Sequence, residues 1–300
     1  MPDYFPILSV ETKHEIPEAL GTKEKSWIHY NGNSHLLKFG RDGTGEDWAE
    51  KVACELCRLL KLPHAHYELA QHNGRNCTLS ASFIEKDERL ILGNELINAS
   101  RKEADGARKY QQKEHTVTRA LAAILLSTEP STKKFTIPQY SPNWYNFIGY
   151  LMLDAWIGNC DRHNENWGVI IKKDRTVQLA PTFDHASSLG RELTDAVRSE
   201  RLMTKDNRFS VAAYAEKARS ALYAEPSDKR ALSPFDAFIR AAQVQKGSAV
   251  IWLNKLQTIS SEAILQILEL VPPDFITKPS RDFAGRLLNY NQLKLLNLQK

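Results

Sequence analysis

Short apolar runs separated by turn residues dominate the first hundred positions, a pattern that predicts strands packed around a single helix. Asn31-Gly32 and Asn73-Gly74 are turn sequences that typically connect the two strands of a hairpin. Between these hairpins, apolar residues at three- and four-residue steps over residues 49–60 predict an amphipathic helix that a proline then ends. The predicted strands are residues 27–30, 35–39, 66–70 and 77–84.

The second part of the chain has a mainly helical pattern. Residues 116–127 and 144–157 are long, apolar-rich segments, and further helical segments punctuated by prolines occupy residues 209–297. A short hairpin is predicted around residues 172–175. Residues 191–208 are polar and poorly periodic, so we expect a mobile surface loop there.

The composition is typical of a soluble globular protein. Hydrophobic residues make up 42% and charged residues 25% of the 300 positions, which suits one large domain or two lobes. No apolar run approaches the roughly 18 residues of a membrane span, and the N-terminus lacks the pattern of a secretory signal. We therefore expect a cytoplasmic protein without membrane association. The net charge of +4 is mild and unclustered, so direct nucleic-acid binding is not expected.

The cysteines are too few to predict a disulfide framework at this chain length. Cys54 and Cys57 form a Cys-x-x-Cys sequence, but no second pair follows at zinc-finger spacing. Both lie within the predicted helix. We therefore expect two small buried or half-buried residues rather than a pair of metal ligands.

The strongest indication of chemistry is Gly-Asn-Cys-Asp-Arg-His-Asn-Glu-Asn at residues 158–166, followed by Asp184. Phosphoryl transfer requires a positioned hydroxyl, a carboxylate that takes its proton, and metal ions that neutralise the phosphates. Asp161 is placed for the carboxylate, while Asn166 and Asp184 are placed to hold Mg²⁺ against ATP. His163 would buttress the loop or contact the γ-phosphate. This pattern predicts an ATP- and Mg²⁺-dependent kinase.

Other interpretations of these residues remain open. A polar surface turn would explain an isolated Asp-x-x-x-x-Asn, because short motifs recur by chance, and Asp184 alone could cap a strand end. Asp161, His163, Asp184 and His185 could instead bind a transition metal that promotes hydrolysis. The two motifs together, with a lysine on a preceding strand, favour the kinase.

Lys38 is that lysine, and it lies in an otherwise apolar predicted strand. A kinase uses such a lysine to contact the α- and β-phosphates and a helix glutamate to hold it. Glu50 is the first choice for this glutamate, and Glu46 or Glu55 could substitute. The ordinary alternatives are an edge-strand lysine with its head group in water and solvated helix glutamates.

Residues 21–26, Gly-Thr-Lys-Glu-Lys-Ser, occupy the position expected for a loop that covers the phosphates. Gly21, Thr22 and Lys23 would bind phosphate through backbone N–H groups and charge. A plain basic turn explains this sequence equally well, because it matches neither G-x-G-x-x-G nor a Walker A motif.

A β-rich part followed by a helical part, with the chemistry on loops, predicts an α+β, two-lobed protein kinase-like fold. The predicted N-lobe comprises residues 1–100 and the predicted helical C-lobe residues 101–300. ATP is expected in the cleft between them.

These motifs resemble the HipA-like serine/threonine kinases, the toxin components of bacterial toxin–antitoxin systems. The resemblance covers residues 15–190 in order and the helical tail more loosely. It implies phosphorylation of a protein Ser or Thr, with Asp161 as the base. Asn166 and Asp184 would be the metal ligands, and Lys38 the ATP anchor.

The resemblance also implies an adenine site and partners. The adenine would bind the backbone near Ala81, Ser82 and Phe83. Family members often phosphorylate an aminoacyl-tRNA synthetase or another translation component and are restrained by a DNA-binding antitoxin. Longer members carry an N-terminal subdomain; if that subdomain exists here, we expect a separate polypeptide to supply it. Their phosphate loop often begins with an autophosphorylated serine, whereas residues 18–20 carry no hydroxyl group.

A second resemblance is to the Asp-Arg-His-x-x-Asn loop of phosphatidylinositol 3- and 4-kinases, which share the distant kinase architecture. The acceptor would then be an inositol hydroxyl, although no polybasic lipid-targeting helix stands out. A pseudokinase that acts as a binding module is the non-enzyme alternative. The presence of Lys38, Asp161, Asn166 and Asp184 argues against it.

Overall fold

The computed structural model describes residues 3–12, 14–18, 23–99, 113–128 and 141–299. Its N-terminal part is a six-stranded sheet and its remainder is mainly helical, which confirms the predicted α+β class. The helical part contains the larger apolar core, centred on one long helix, and a smaller apolar cluster lies within the sheet region.

The large sheet has the strand order β1-β5-β6-β4-β3-β2, in which β1 pairs with β5 in parallel and the other pairs are antiparallel. Both predicted hairpins are present, and Asn31, Gly32, Asn73 and Gly74 have the positive φ values of tight two-residue turns. The second hairpin is shifted by a few residues from its predicted bounds. The strands are β1 (Ile7–Val10), β2 (Ile16–Pro17), β3 (Lys25–Tyr30), β4 (Asn33–Lys38), β5 (Glu68–His72) and β6 (Arg75–Ala81).

The predicted amphipathic helix is α1 (Glu46–Leu60), which packs against β5 and β6. It ends at Lys61, whose left-handed backbone turns the chain and whose N–H group bonds the carbonyl oxygen of Arg58. Cys54 and Cys57 are both buried on this helix. Its buried side also carries charged residues, and these reach the site described below.

A second helix lies within the first hundred residues, so the prediction of a single helix there is wrong. Strand β7 (Arg89–Leu92) leads into α2 (Gly93–Ala99). β7 pairs antiparallel with β8 (Gly168–Ile171), which in turn pairs with β9 (Val177–Leu179). Four strand residues and two helical turns are too short to show a period, which is why the sequence pattern missed them.

The long helix at the centre of the core is α4 (Pro142–Ile157), which is buried over nearly its whole surface. Ser141 caps its N-terminus, and Gly158, with φ 67°, ends it and turns the chain into the 158–166 loop. None of the described helices has the length and apolarity needed to cross a membrane. The other described helices outside residues 191–208 are α3 (Val117–Thr128), α6 (Val211–Lys217), α7 (Pro234–Val244), α8 (Lys246–Gln257), α9 (Ser261–Glu269) and α10 (Lys278–Leu296).

The predicted loop at residues 191–208 contains a helix, α5 (Asp195–Met203), and that prediction is wrong. Thr194 caps its N-terminus, and α5 packs against α10. Its buried Arg198 donates hydrogen bonds to the carbonyl oxygens of Gly190 and Arg191. The segment looked like a loop because a charged residue, rather than an apolar one, occupies the buried side of the helix.

Candidate active site

Three charged side chains from three segments meet where the large sheet faces the helical part. Lys38 Nζ, at the end of β4, lies 2.8 Å from Glu50 Oε2 of α1 and 2.8 Å from Asp184 Oδ1. Glu50 Oε1 accepts the backbone N–H of His185 at 2.6 Å. Glu50 therefore holds both the lysine and the loop that carries Asp184.

These side chains remain charged although they are removed from water. Burial alone would lower the pKa of Lys38, but the carboxylates of Asp184 and Glu50 outweigh it and hold the pKa well above its usual value. Burial would raise the pKa of both carboxyls, but Lys38 holds the pKa of each below its usual range. All three groups are therefore ionised at neutral pH.

Asp184 has an unusual backbone conformation, with φ 59°. Aspartate is among the few residues other than glycine that adopt this left-handed conformation, which still costs roughly 1–3 kcal/mol where the surroundings impose it. Its N–H donates to Tyr67 Oη at 3.2 Å, and the N–H of His185 is held by Glu50. These contacts fix the turn that carries the Asp184 carboxylate.

Of the three glutamates considered from the sequence, Glu50 contacts Lys38. Glu55 lies further along α1, where it pairs with Lys51. Glu46, which is 2% exposed, is the centre of a separate charge cluster. Its carboxylate contacts Arg41 at 2.8 Å, Arg191 at 2.9 Å and Lys23 at 3.5 Å.

A buried ion pair positions the loop that follows α4. Arg162 is fully buried and donates from Nε and Nη2 to the carboxylate of Asp154 at 2.7 and 2.8 Å. It also donates to the carbonyl oxygen of Asn166 at 2.6 Å and to Thr182 Oγ1 at 3.0 Å. Because a two-pronged arginine–carboxylate pair fixes direction as well as distance, Arg162 holds the Asn166 and Asp184 loops in one arrangement.

Asp161 lines the cleft, and 41% of its side chain is exposed. Its N–H donates to Asn159 Oδ1, and its carboxylate lies 3.4 Å from Ser187 Oγ and 3.9 Å from His163 Nε2. Partial burial raises the pKa of Asp161 above its usual value, with the charge of Asp184 adding to the rise and His163 opposing it. A raised pKa makes this carboxylate a stronger proton acceptor.

Asn166 and Asp184 offer oxygen atoms suited to a metal ion. Asn166 Nδ2 donates to the carbonyl oxygen of Asp161 at 2.7 Å, so the amide oxygen of Asn166 is the atom left to bind a metal ion. Lys38 and Lys23 both contact Oδ1 of Asp184, and among the described residues Oδ2 accepts no hydrogen bond. Amide and carboxylate oxygens are ligands that Mg²⁺ prefers, so this donor pair fits Mg²⁺.

An apolar cavity of about 180 Å³ lies under the large sheet. Phe83 and Phe183 stack at one side of it, with ring centroids 5.6 Å apart. The N–H of Ser82 donates to the carbonyl oxygen of Ser34, whereas the N–H of Phe83 has no acceptor among the described residues. A flat heteroaromatic ring fits such a cavity. Other lining residues include Trp27, Leu36, Tyr67, Ala81, Leu90 and Leu92.

A polar cavity of about 320 Å³ adjoins the apolar one, and the two share Lys25, Lys38, His163 and Asp184. Cations line much of its wall, which suits polyphosphate next to the heteroaromatic ring. The predicted site residues that line one or both cavities are Lys23, Lys38, Ala81, Ser82, Phe83, Asp161, His163, Asn166 and Asp184. Gly21 and Thr22 lie outside the described residues.

Sequence reasoning missed several residues that shape this site. Tyr67 and Arg162 carried no signal, because each acts through contacts that only the folded chain creates. Lys25 lies in the segment considered for the phosphate loop but was not singled out, and Arg191 lines the polar cavity from a segment that looked like an ordinary polar loop. Asp154 did carry a signal, since a single charge in a thoroughly apolar helix indicates a buried ionic partner.

The sequence pattern of the HipA-like C-terminal domain matches residues 17–245. The match spans most of the chain, and the chain therefore belongs to this family. This confirms the family resemblance identified from the site motifs. A search of curated protein sequences finds no match.

Two solved structures share the fold. One is the Helicobacter pylori proinflammatory kinase CtkA, at 22% identity and TM-score 0.68, with 92% of this chain and 95% of CtkA aligned. The other is HipA of the Shewanella oneidensis MR-1 toxin–antitoxin system, solved with HipB and operator DNA, at 13% identity and TM-score 0.54. That alignment covers 98% of this chain and 67% of HipA. The chain thus has the predicted kinase-like fold, and family and fold together support a kinase function.

Proposed function

We propose that this protein transfers the γ-phosphoryl group of ATP to a serine or threonine hydroxyl of a protein, with Mg²⁺ as the metal. The observation that carries the proposal is the contact of Lys38 with both Glu50 and Asp184, at 2.8 Å each. Kinases use this combination to hold the phosphates, orient the lysine and bind the metal. A desolvated charge network that opens into a cleft is more typical of a functional site than of a stabilising one.

The nucleotide would lie across both cavities. Phe83 N–H is the available donor for an adenine ring nitrogen, and Phe183 would pack against the ring. Lys38 would contact the phosphates, and Lys23 and Lys25 line the polar cavity beside it. Burial lowers the pKa of Lys25, and an adjacent phosphate would favour its charged form.

The metal would be held by Asn166 and Asp184, whose oxygens fit it. When bound, Mg²⁺ neutralises charge on the phosphates during transfer. Asp161 would orient the acceptor hydroxyl and take its proton, and the raised pKa of its carboxyl suits that role. The choice of a protein hydroxyl, with a translation component such as an aminoacyl-tRNA synthetase as the candidate substrate, rests on family membership.

The test is incubation with γ-labelled ATP and Mg²⁺, in parallel with a cell protein extract and with phosphoinositide vesicles. We expect label on protein serine or threonine, and a loss of about 10²–10⁴-fold in Asp161→Asn. Binding of ATP by Asp161→Asn, measured by calorimetry, should remain and shows that the variant is folded. Label on lipid would replace the protein acceptor with an inositol, and label nowhere would indicate a binding module.

A DNA-binding antitoxin is the proposed partner. The support is family membership together with the HipA structure, which contains HipB and operator DNA. We expect that expression of this chain arrests growth, that Asp161→Asn does not, and that a small helix-turn-helix protein encoded beside it restores growth. Normal growth on expression of the active protein would count against the toxin role and leave the kinase role to the labelling test.

A further inference from the structure

Cys54, His64 and His66 form a cluster whose ligand atoms all lie within 4.8 Å of one another. Cys54 belongs to α1, and the two histidines lie in the segment between α1 and β5. Cys54 is buried, His64 is partly buried and His66 is exposed, so the cluster opens to solvent on one side. We propose that these three residues bind a zinc ion, with a water molecule as the fourth ligand.

The hydrogen bonds of His64 prepare it as a ligand. Its Nδ1 lies 2.6 Å from the carbonyl oxygen of Leu62, and because a carbonyl only accepts, Nδ1 carries the proton. In the neutral ring this leaves the lone pair on Nε2. That Nε2 is buried and has no hydrogen-bond partner among the described residues. Metal-binding histidines typically donate their other ring N–H to an oxygen in this way.

Cys54 supplies the soft ligand. Its side chain is buried and carries a free thiol, whose proton a metal ion displaces on binding. Zinc would bind the thiolate and release that proton to solvent. Zinc–sulfur and zinc–nitrogen bonds of about 2.3 and 2.0 Å place tetrahedral ligand atoms roughly 3.3–3.6 Å apart. Because the three ligand atoms lie within 4.8 Å of one another, no pair has to close by more than about 1.5 Å to reach those distances.

Arg58 would compete with the metal if His66 binds it through Nδ1. Its Nη2 donates to His66 Nδ1 at 3.2 Å, and the same guanidinium pairs with Glu55 at 3.1 Å and lies 3.9 Å from Glu68. The Arg58 side chain is 44% exposed. The Arg58 side chain can therefore turn toward solvent while it stays near Glu55 and Glu68, which would free His66 to bind the metal.

The cluster is connected to the active-site loop through the backbone. The residues before and after His64 both form backbone hydrogen bonds with Thr182, at 3.0 and 2.9 Å. Tyr67, which follows His66, accepts the N–H of Asp184. A zinc ion on both histidines would stiffen the segment that supports Asp184.

Cobalt(II) is the first probe, because it occupies tetrahedral zinc sites and gives an intense near-ultraviolet charge-transfer band when bound to a thiolate. We expect one equivalent of cobalt to produce this band in metal-stripped protein and zinc to abolish it by displacement. The band should be lost in Cys54→Ser. It should persist in Cys160→Ser, which removes the thiol beside Asp161. Absence of the band in the unaltered protein overturns the proposal.

Zinc calorimetry on histidine variants gives the second test. His66→Gln alters an exposed side chain, so it remains decisive even if Cys54→Ser fails to fold. We expect at least a tenfold loss of zinc affinity in His66→Gln and no change in His29→Gln, an exposed histidine on β3. Arg58→Gln should bind zinc more tightly. Equal affinity in His66→Gln and the unaltered protein overturns the proposal, and no readout depends on kinase activity.

Discussion

Lys38 and Lys25 lie directly opposite each other in the β3–β4 pair, yet their surroundings differ. Two carboxylates hold the pKa of Lys38 well above its usual value, whereas burial lowers that of Lys25. The protein's own carboxylates therefore stabilise the charge of Lys38, whereas the charge of Lys25 would be stabilised further by an anion bound beside it. A nucleotide would meet one preorganised cation and one that its own phosphates stabilise.

Lys38→Met should lower the free energy of unfolding by about 3 kcal/mol at pH 7, because it leaves the buried Glu50 and the partly exposed Asp184 without their cation. In the unaltered protein, the pKa of each carboxyl is lower in the folded state than in the unfolded state. This difference stabilises the fold at pH values above the unfolded-state pKa, and the stabilisation is lost as the pH falls. The variant lacks this contribution, and it becomes relatively more stable as the pH falls because protonation of Glu50 removes an unpaired buried charge. Urea unfolding should therefore show a smaller difference between the two proteins at pH 5 than at pH 7.

Lys25→Met is the matched control for this measurement. Burial lowers the pKa of Lys25 in the unaltered protein, so removing its charge should change the free energy of unfolding by no more than about 0.5–1 kcal/mol. A loss as large as that of Lys38→Met would contradict the distinction between the two lysines.

His163→Gln should shift the pH dependence of phosphoryl transfer. If Asp161 is the base, kcat/KM falls as pH decreases through its pKa, which burial already raises. His163 opposes that rise, so removing it should move the acid limb to higher pH. The pH–rate profile measures this shift, and Asp161→Asn should abolish the limb. An unmoved limb in His163→Gln would separate the histidine from the base.

Local patterns in the sequence were sufficient to bring Lys38, Asp161 and Asn166 into consideration, although their roles remain predictions. Each lies in a short motif whose residue types suit phosphate or metal. The contacts that make Arg162 and Tyr67 important could not be found in this way. Tyr67, for example, meets Asp184, which lies 117 residues further along the chain. Only the folded chain shows which polar residues share a buried network.

At the scale of elements, length and periodicity decided what the sequence could predict. The central helix α4 and the amphipathic α1 are long enough for their apolar residues to show a pattern. β7 and α2 are too short for that. In α5 the buried position is Arg198, whose hydrogen bonds replace apolar packing, so the sequence resembled a loop.

Glycine turns on either side of the site give a prediction about these elements. Gly158 ends α4 and Gly190 precedes α5, and both have positive φ. A Cβ at Gly158 meets Leu287 at 3.7 Å, whereas one at Gly190 would lie 2.5 Å from Phe283 of α10. Gly158→Ala should cost about 1–2 kcal/mol from backbone strain, and Gly190→Ala about 1–3 kcal/mol more from overpacking. Thermal or urea unfolding compares them, and equal losses would contradict the steric difference.

At the scale of the whole molecule, charge contacts join the sheet to the helical part across the cleft. Lys38 and Asp184 are 146 residues apart, and Glu46 of α1 contacts Arg191. The same residues line the polar cavity or border it. A ligand in that cavity would therefore contact both parts of the molecule at once and stabilise their arrangement.

Magnesium and ATP should raise the melting temperature of the whole chain in one transition. At a hundred times the dissociation constant, binding stabilises by about 2.7 kcal/mol, or a rise of roughly 5 °C. Asp184→Asn should lose most of this rise, because it removes the negative charge of the proposed Asn166–Asp184 ligand pair and the contact of that charge with Lys38. Asp87→Asn is the control, since Asp87 is also an aspartate with positive φ but is exposed and lines neither cavity. If calorimetry shows the full ligand-dependent rise in melting temperature for Asp184→Asn, Asp184 is not a ligand of the metal.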